Sequence, residues 1–181
     1  MSIEQVLDVV RSFDGSLVLA PEEGSGTPEV AWGDLFFYYA PDGQVPTTGQ
    51  PYATIVTKNY PGDTQSDLDG EGRWRVNIHV GRAEFERLTG GSVRDFTSRD
   101  FAAPDVVLPH PVYGRLGWVA VVNPGERTMA AVVDLLGDAH RKAEARATRR
   151  SGGGALPPAG SQHAALDSVR GRSDGTRESP T

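Results

Sequence analysis

At 181 residues and a formal net charge of −6, the chain has room for one domain with a core of its own. It contains no cysteine, which excludes disulfides, thiolate nucleophiles and thiolate metal sites. Residues 1–145 hold 21 acidic and 12 basic side chains, a net of −9, so they lack the attraction that dominates nucleic-acid binding.

Ser2 and Gln5 form a capping-box pair, and Ile3, Val6, Leu7, Val10 and Phe13 follow at helical spacing. They predict a short N-terminal helix that stops near Asp14-Gly15. "SLVLA" (Ser16–Ala20) reads as a strand, and "PEEGSGTPEVAWG" as a loop. The aromatic run "DLFFYYA" (Asp34–Ala40) and "YATIVTK" (Tyr52–Lys58) are strands flanking the turn chemistry of "PDGQVPTTGQP". The clearest strand is "RWRVNIHV", where Trp74, Val76, Ile78 and Val80 alternate with Arg73, Arg75, Asn77 and His79. One of its faces belongs to the core and the other to solvent or a ligand.

"GRAEFERLTGG" predicts a short helix with Phe85 and Leu88 inward and a Gly-Gly stop. Residues 92–108 are expected to be loop, and "GWVAVVN" (Gly117–Asn123) the last strand. Asn123-Pro124-Gly125-Glu126 has the form of a helix start: an N-cap, a proline at the first position and an acid at the third. Met129, Val132, Val133, Leu136 and His140 carry that helix forward. From Arg146 the sequence turns Gly-, Ser-, Pro- and Arg-rich with a net of +3, a composition that predicts a disordered basic tail.

The N-terminus has no basic stretch followed by a long apolar run, so no secretory signal is expected. No apolar run reaches the roughly 18–20 residues of a membrane span. The expected setting is cytoplasmic, away from membranes. The expected organisation is one α+β domain over 1–145 and a tail over 146–181. Its mostly antiparallel sheet has four to five strands, with the terminal helices packed on one face and the other face open.

The segments "FFYYAPDG", "PYATIVTKNY", "SDLDGEGRWRVNIHVGRAEFERL" and "HPVYGRLGWVAVVNPGERT" together resemble an uncharacterised family of small actinomycete domains of unknown function. The likeness covers nearly all of residues 2–145 and implies no particular activity. More distantly the layout is similar to MmcQ/YjbR-like domains, which share terminal helices and a sheet open on one face. Their DNA-binding label sits badly with an acidic body.

"GDTQSDLDGEG" gathers Asp63, Asp67, Asp69 and Glu71. Set against a calcium loop with Asp69-Gly70 at positions 5 and 6, it places Gln65 at position 1 and Val76 at position 12. The match fails at both ends, and a hairpin loop explains the residues better. His79 and His110 are the histidines near the sheet. They have no metal-ligand spacing, and His110 between two prolines reads as a turn residue whose ring bonds a backbone carbonyl. No nucleophile elbow or phosphate loop is present. No cofactor or metal is expected.

What remains is a surface. Arg75, Asn77 and His79 line one strand face, and His110, Tyr113 and Trp118 lead into a strand that can pair nearby, with Trp118 assignable to core or surface alike. The leading expectation is a non-catalytic binding domain for an unknown small molecule or protein. An enzyme or metal-dependent activity centred on His79 and His110 is the alternative, and nucleic-acid binding comes third.

Overall fold

Ser2 caps helix α1 (Ile3–Arg11) through the expected capping box, and Val6 and Val10 on its inner face are fully buried. The computed structural model describes residues 1–90 and 99–152. The five expected strands all form: β1 (Ser16–Leu19), β2 (Leu35–Tyr39), β3 (Ala53–Val56), β4 (Arg75–His79) and β6 (Trp118–Val122). A sixth, the two-residue β5 (Leu108–Pro109), lies at the end of the expected loop. It is too short to leave any periodicity in the sequence. The strands form one antiparallel sheet in the order β1-β2-β3-β4-β6-β5.

Strand alternation sorts the side chains. Phe37, Ala53, Ile55, Val76, Ile78, Val119 and Val121 point to a first face. There they form one core with Val6 and Val10 of α1 and Phe85 of α2 (Arg82–Thr89). Val132, Leu135, Leu136 and Ala139 of α3 (Met129–Gly152) complete it. No helix among the described residues lies on the second face. The segment between β3 and β4 crosses one end of that face, where Leu68 packs with Val56, Val122 and Tyr60. Buried Asp34 anchors the start of this segment, accepting from the Thr57 N–H (2.8 Å), the Thr57 hydroxyl (2.9 Å) and the Tyr60 hydroxyl.

The start of α3 departs from expectation. Asn123 does not cap it: its Oδ1 accepts from the Trp74 N–H (3.2 Å) and its Nδ2 donates to the Gly72 carbonyl (2.8 Å). Its backbone is left-handed, at φ 43°, and the helix begins only at Met129. Asp105 takes over the capping. One carboxylate oxygen accepts from the Gly125 N–H (2.7 Å), the Thr128 N–H (3.0 Å) and the Thr128 hydroxyl (2.6 Å), and the other accepts from the Arg127 N–H (3.2 Å). The Thr128 hydroxyl above all holds the Asp105 carboxyl well below the usual carboxylate range.

The end of α3 also departs. The helix runs through Arg146, Arg149 and Arg150 to Gly152, so the expected boundary after residue 145 falls inside it. Half of the basic residues assigned to a tail are thus the last turns of a helix, where positive charge complements the negative end of the helix dipole. Beyond Gly152 three arginines balance three acids. Residues 153–181, expected to be disordered, lie outside the described residues, as does the 92–98 part of the expected loop. Among the described residues no helix is long and apolar enough to cross a membrane.

Candidate functional site on the helix-free sheet face

Arg75, Asn77 and His79 project from β4 onto the second face, opposite Val122, Ala120 and Trp118 of β6. Arg75 and Asn77 are 1% and 3% exposed, which makes them core residues by burial and polar residues by chemistry. A buried cation survives only if it is paired. The Arg75 partner is Asp63, from the acidic loop: Nη2 donates to Oδ2 at 2.6 Å and Nη1 to Oδ1 at 3.1 Å, a bidentate pair. Nη1 also donates to the Ser66 hydroxyl at 2.7 Å.

His110 completes this group. Its backbone N–H donates to the Trp118 carbonyl (3.0 Å), which sets it beside Trp118 and in a row with His79 across the sheet. The Arg75 side chain runs back along the face until its Nη2 lies 3.2 Å from His110 Nε2. The other ring nitrogen of His110 accepts from the backbone N–H groups of Val112 (3.1 Å) and Tyr113 (3.2 Å), donors rather than the carbonyl that sequence suggested. Burial first, and then the Arg75 cation, push the His110 pKa well below the ordinary histidine value. The ring is therefore neutral, with its proton assigned to Nε2 because Nδ1 is accepting. His110 Nε2 lies 3.8 Å from Asp63 Oδ2, so the imidazole, the guanidinium and the carboxylate meet at one point.

Tyr113 stacks at a tilt on His110, with centroids 4.9 Å apart. Burial, with the Asp63 charge adding to it, raises its hydroxyl pKa, while Arg75 opposes. Asn77 Nδ2 donates to the Thr54 hydroxyl on β3 at 2.9 Å. The His79 ring meets the half-buried Trp118 ring at 5.4 Å. Burial, then the Arg146 cation and more weakly that of Lys142, hold His79 below its ordinary pKa, against a hydrogen bond at the Leu116 carbonyl. Gly117, at φ 79°, makes this end of the sheet possible. Its carbonyl accepts from the Val80 and Gly81 N–H groups, and a Cβ there would lie 2.9 Å from the Gly81 backbone.

The six residues singled out from sequence thus come together as one polar strip along β4 and across to β6. Sequence reasoning missed Asp63, Ser66 and Thr54. The acidic loop was weighed for a cation, and its acids are engaged in other ways: Asp63 by Arg75, and Asp69 by the Asn59 N–H (2.9 Å) and Nδ2 (2.8 Å). No sequence signal singled out Asp63, because the alternation of β4 left the Arg75 face open to solvent; only its burial in the fold calls for an acid within reach.

Two atoms of the strip have no partner. Arg75 Nε, a donor, and Asn77 Oδ1, an acceptor, are buried and make no hydrogen bond among the described residues. They belong to successive residues of the same face, about 7 Å apart along the strand. Buried polar groups are nearly always satisfied, so this adjacent donor and acceptor mark a place where something polar belongs.

Fold and site together define a small α+β domain carrying a buried polar strip on the helix-free face of its sheet. The chain belongs to DUF6194, a family of unknown function whose family model matches residues 1–152 and so ends where α3 ends. No curated protein and no solved structure matches the chain. The family match gives no support to the more distant likeness to MmcQ/YjbR-like domains.

Proposed function

We propose that this is a non-catalytic binding domain of the cytoplasm, and that its second sheet face seats a small polar ligand along Arg75, Asn77 and His79. The observation that carries this reading is the unpartnered pair, Arg75 Nε and Asn77 Oδ1. A ligand offering an acceptor to the first and a donor to the second would satisfy both. The alternative, an enzyme or metal-dependent activity centred on His79 and His110, finds less support: His110 Nδ1 is already engaged by two amides, and its Nε2 lies against the Arg75 cation.

Thermal-shift measurements with a panel of amino acids, hydroxy acids and sugars test the proposal. At least one compound should raise the midpoint of the wild-type chain and have far less effect on Asn77→Ala. A panel that moves both proteins equally, or neither, would count against the reading. So would a high-resolution crystal structure in which ordered water in a closed cavity satisfies both atoms.

A further inference from the structure

Among the described residues, four arginines are buried or half-buried: Arg73, Arg75, Arg99 and Arg146. Arg73 donates to the carbonyls of Ser66, Asp67 and Ala102, Arg75 to Asp63, and Arg99 to Thr89. Of these, Arg146 alone has no acceptor among the described residues. It lies on α3 one turn beyond Lys142, on the same side of the helix, and Lys142 Nζ donates to the Val80 carbonyl (2.9 Å), just past the end of β4. That bond holds α3 against the end of the sheet where His79 meets Trp118.

We propose that His79, Trp118, Lys142 and Arg146, gathered at this end of the sheet, form an anion subsite that takes the phosphate or carboxylate end of the ligand whose body lies on the polar strip. The inference rests on the binding reading above and narrows it to an organic oxyanion. A guanidinium withdrawn partly from water without a counter-charge is costly, and an oxyanion would offset that cost through charge-assisted hydrogen bonds. Among the described residues the neighbouring charges supply no counter-ion: Arg149 and Arg150, which bear on Arg146, are themselves cations. Glu84 of α2, which feels the Lys142 charge, is bonded by Arg87, and Arg115 on the adjoining turn is exposed. His79 adds a group that becomes a second donor cation when protonated. Burial, Arg146 and Lys142 resist that protonation, and a bound anion would favour it.

The test uses the full chain and inorganic phosphate, at ionic strength held constant with chloride, followed by proton NMR of the Trp118 indole N–H and the His79 ring. Both signals should move saturably, and the His79 pKa should rise when phosphate is bound. Arg146→Gln, at a half-buried position near the end of α3 and keeping a polar side chain of similar reach, should weaken phosphate binding by about tenfold or more, with Arg146→Lys recovering part of it. Acetate in place of phosphate separates a carboxylate preference from a phosphate preference. Shifts that never saturate, or that are the same in Arg146→Gln, would overturn the inference. A neutral compound from the panel that binds through Asn77 while phosphate fails would sink the anion subsite and leave the binding reading standing.

Discussion

Arg75 and Asp63 illustrate how a single pair can govern a sheet face. The pair is almost fully withdrawn from water, with side-chain exposures of 2% and 12%. Asp63→Ala would strand the guanidinium and should cost about 3–5 kcal/mol in urea denaturation. Replacing both members, as Asp63→Ala with Arg75→Met, should recover much of that loss, because two apolar groups need no pairing. If the double variant is no more stable than the single one, the pair is not the source of the cost.

The histidines set a second expectation at this scale. Burial depresses the folded-state pKa of His79, His110 and His140 alike. His140 sits among the rings of Phe13, Tyr39 and Tyr52, 5.0–5.5 Å away, with Nε2 3.0 Å from the Asp14 carbonyl and Nδ1 buried without a partner. The unfolded chain therefore takes up protons before the folded one as the pH drops. The stability these groups contribute is complete above the unfolded histidine pKa of about 6.5 and is lost as the pH falls below it. Denaturation midpoints should decline between pH 7 and pH 5, and His140→Phe should flatten part of that decline. A midpoint independent of pH over that interval would show that the three rings are solvated.

At the level of elements, the sequence yielded what periodicity encodes and missed what contact encodes. The strict alternation of Trp74 to His79 located β4 and named the residues of its second face, because a strand reports its faces locally. Two-residue β5 has no period to read. Asn123-Pro-Gly-Glu matched a helix start by residue type, yet the work of capping fell to Asp105, some twenty residues upstream, through a contact that only the folded chain creates. The same limit hid Asp63: the loop showed its acids, and the fold chose which one Arg75 would use. The two accounts of the α3 start differ in a measurable way. Asn123→Ala should cost about 1–2 kcal/mol, from its bonds to Trp74 and Gly72 and from placing alanine at positive φ. Exposed Glu126, which a capping box would engage, should tolerate Glu126→Ala with a change within about 0.5 kcal/mol. Equal losses in the two variants would restore Asn123 as the helix cap.

For the molecule as a whole, the described part of α3 and the family match both reach Gly152, and truncations on either side of that point should differ. Residues 153–181 are poor in large apolar side chains, so deleting them should leave the thermal midpoint within about 2 °C of the full chain. Deleting residues 143–181 removes Ala143, which packs on the core, together with Arg146. That truncation should lower the midpoint and, on the anion-subsite proposal, abolish the phosphate response. A large loss from the shorter deletion would place stabilising contacts beyond the family-matched region.

The meeting of His79 with Trp118 also gives the protein an optical consequence. An imidazolium against an indole accepts an electron from the excited ring and quenches its emission far more than a neutral imidazole does. Of the three tryptophans, Trp32 donates to the Thr27 carbonyl and Trp74 lies in the core, while among the described residues Trp118 alone has a histidine ring against it. Steady-state fluorescence should therefore dim as the pH falls through the depressed pKa of His79, and Trp118→Phe should remove that titration. Occupation of the Arg146 subsite by an anion should move the dimming to higher pH, so the unlabelled protein would signal its own ligand as a change in brightness.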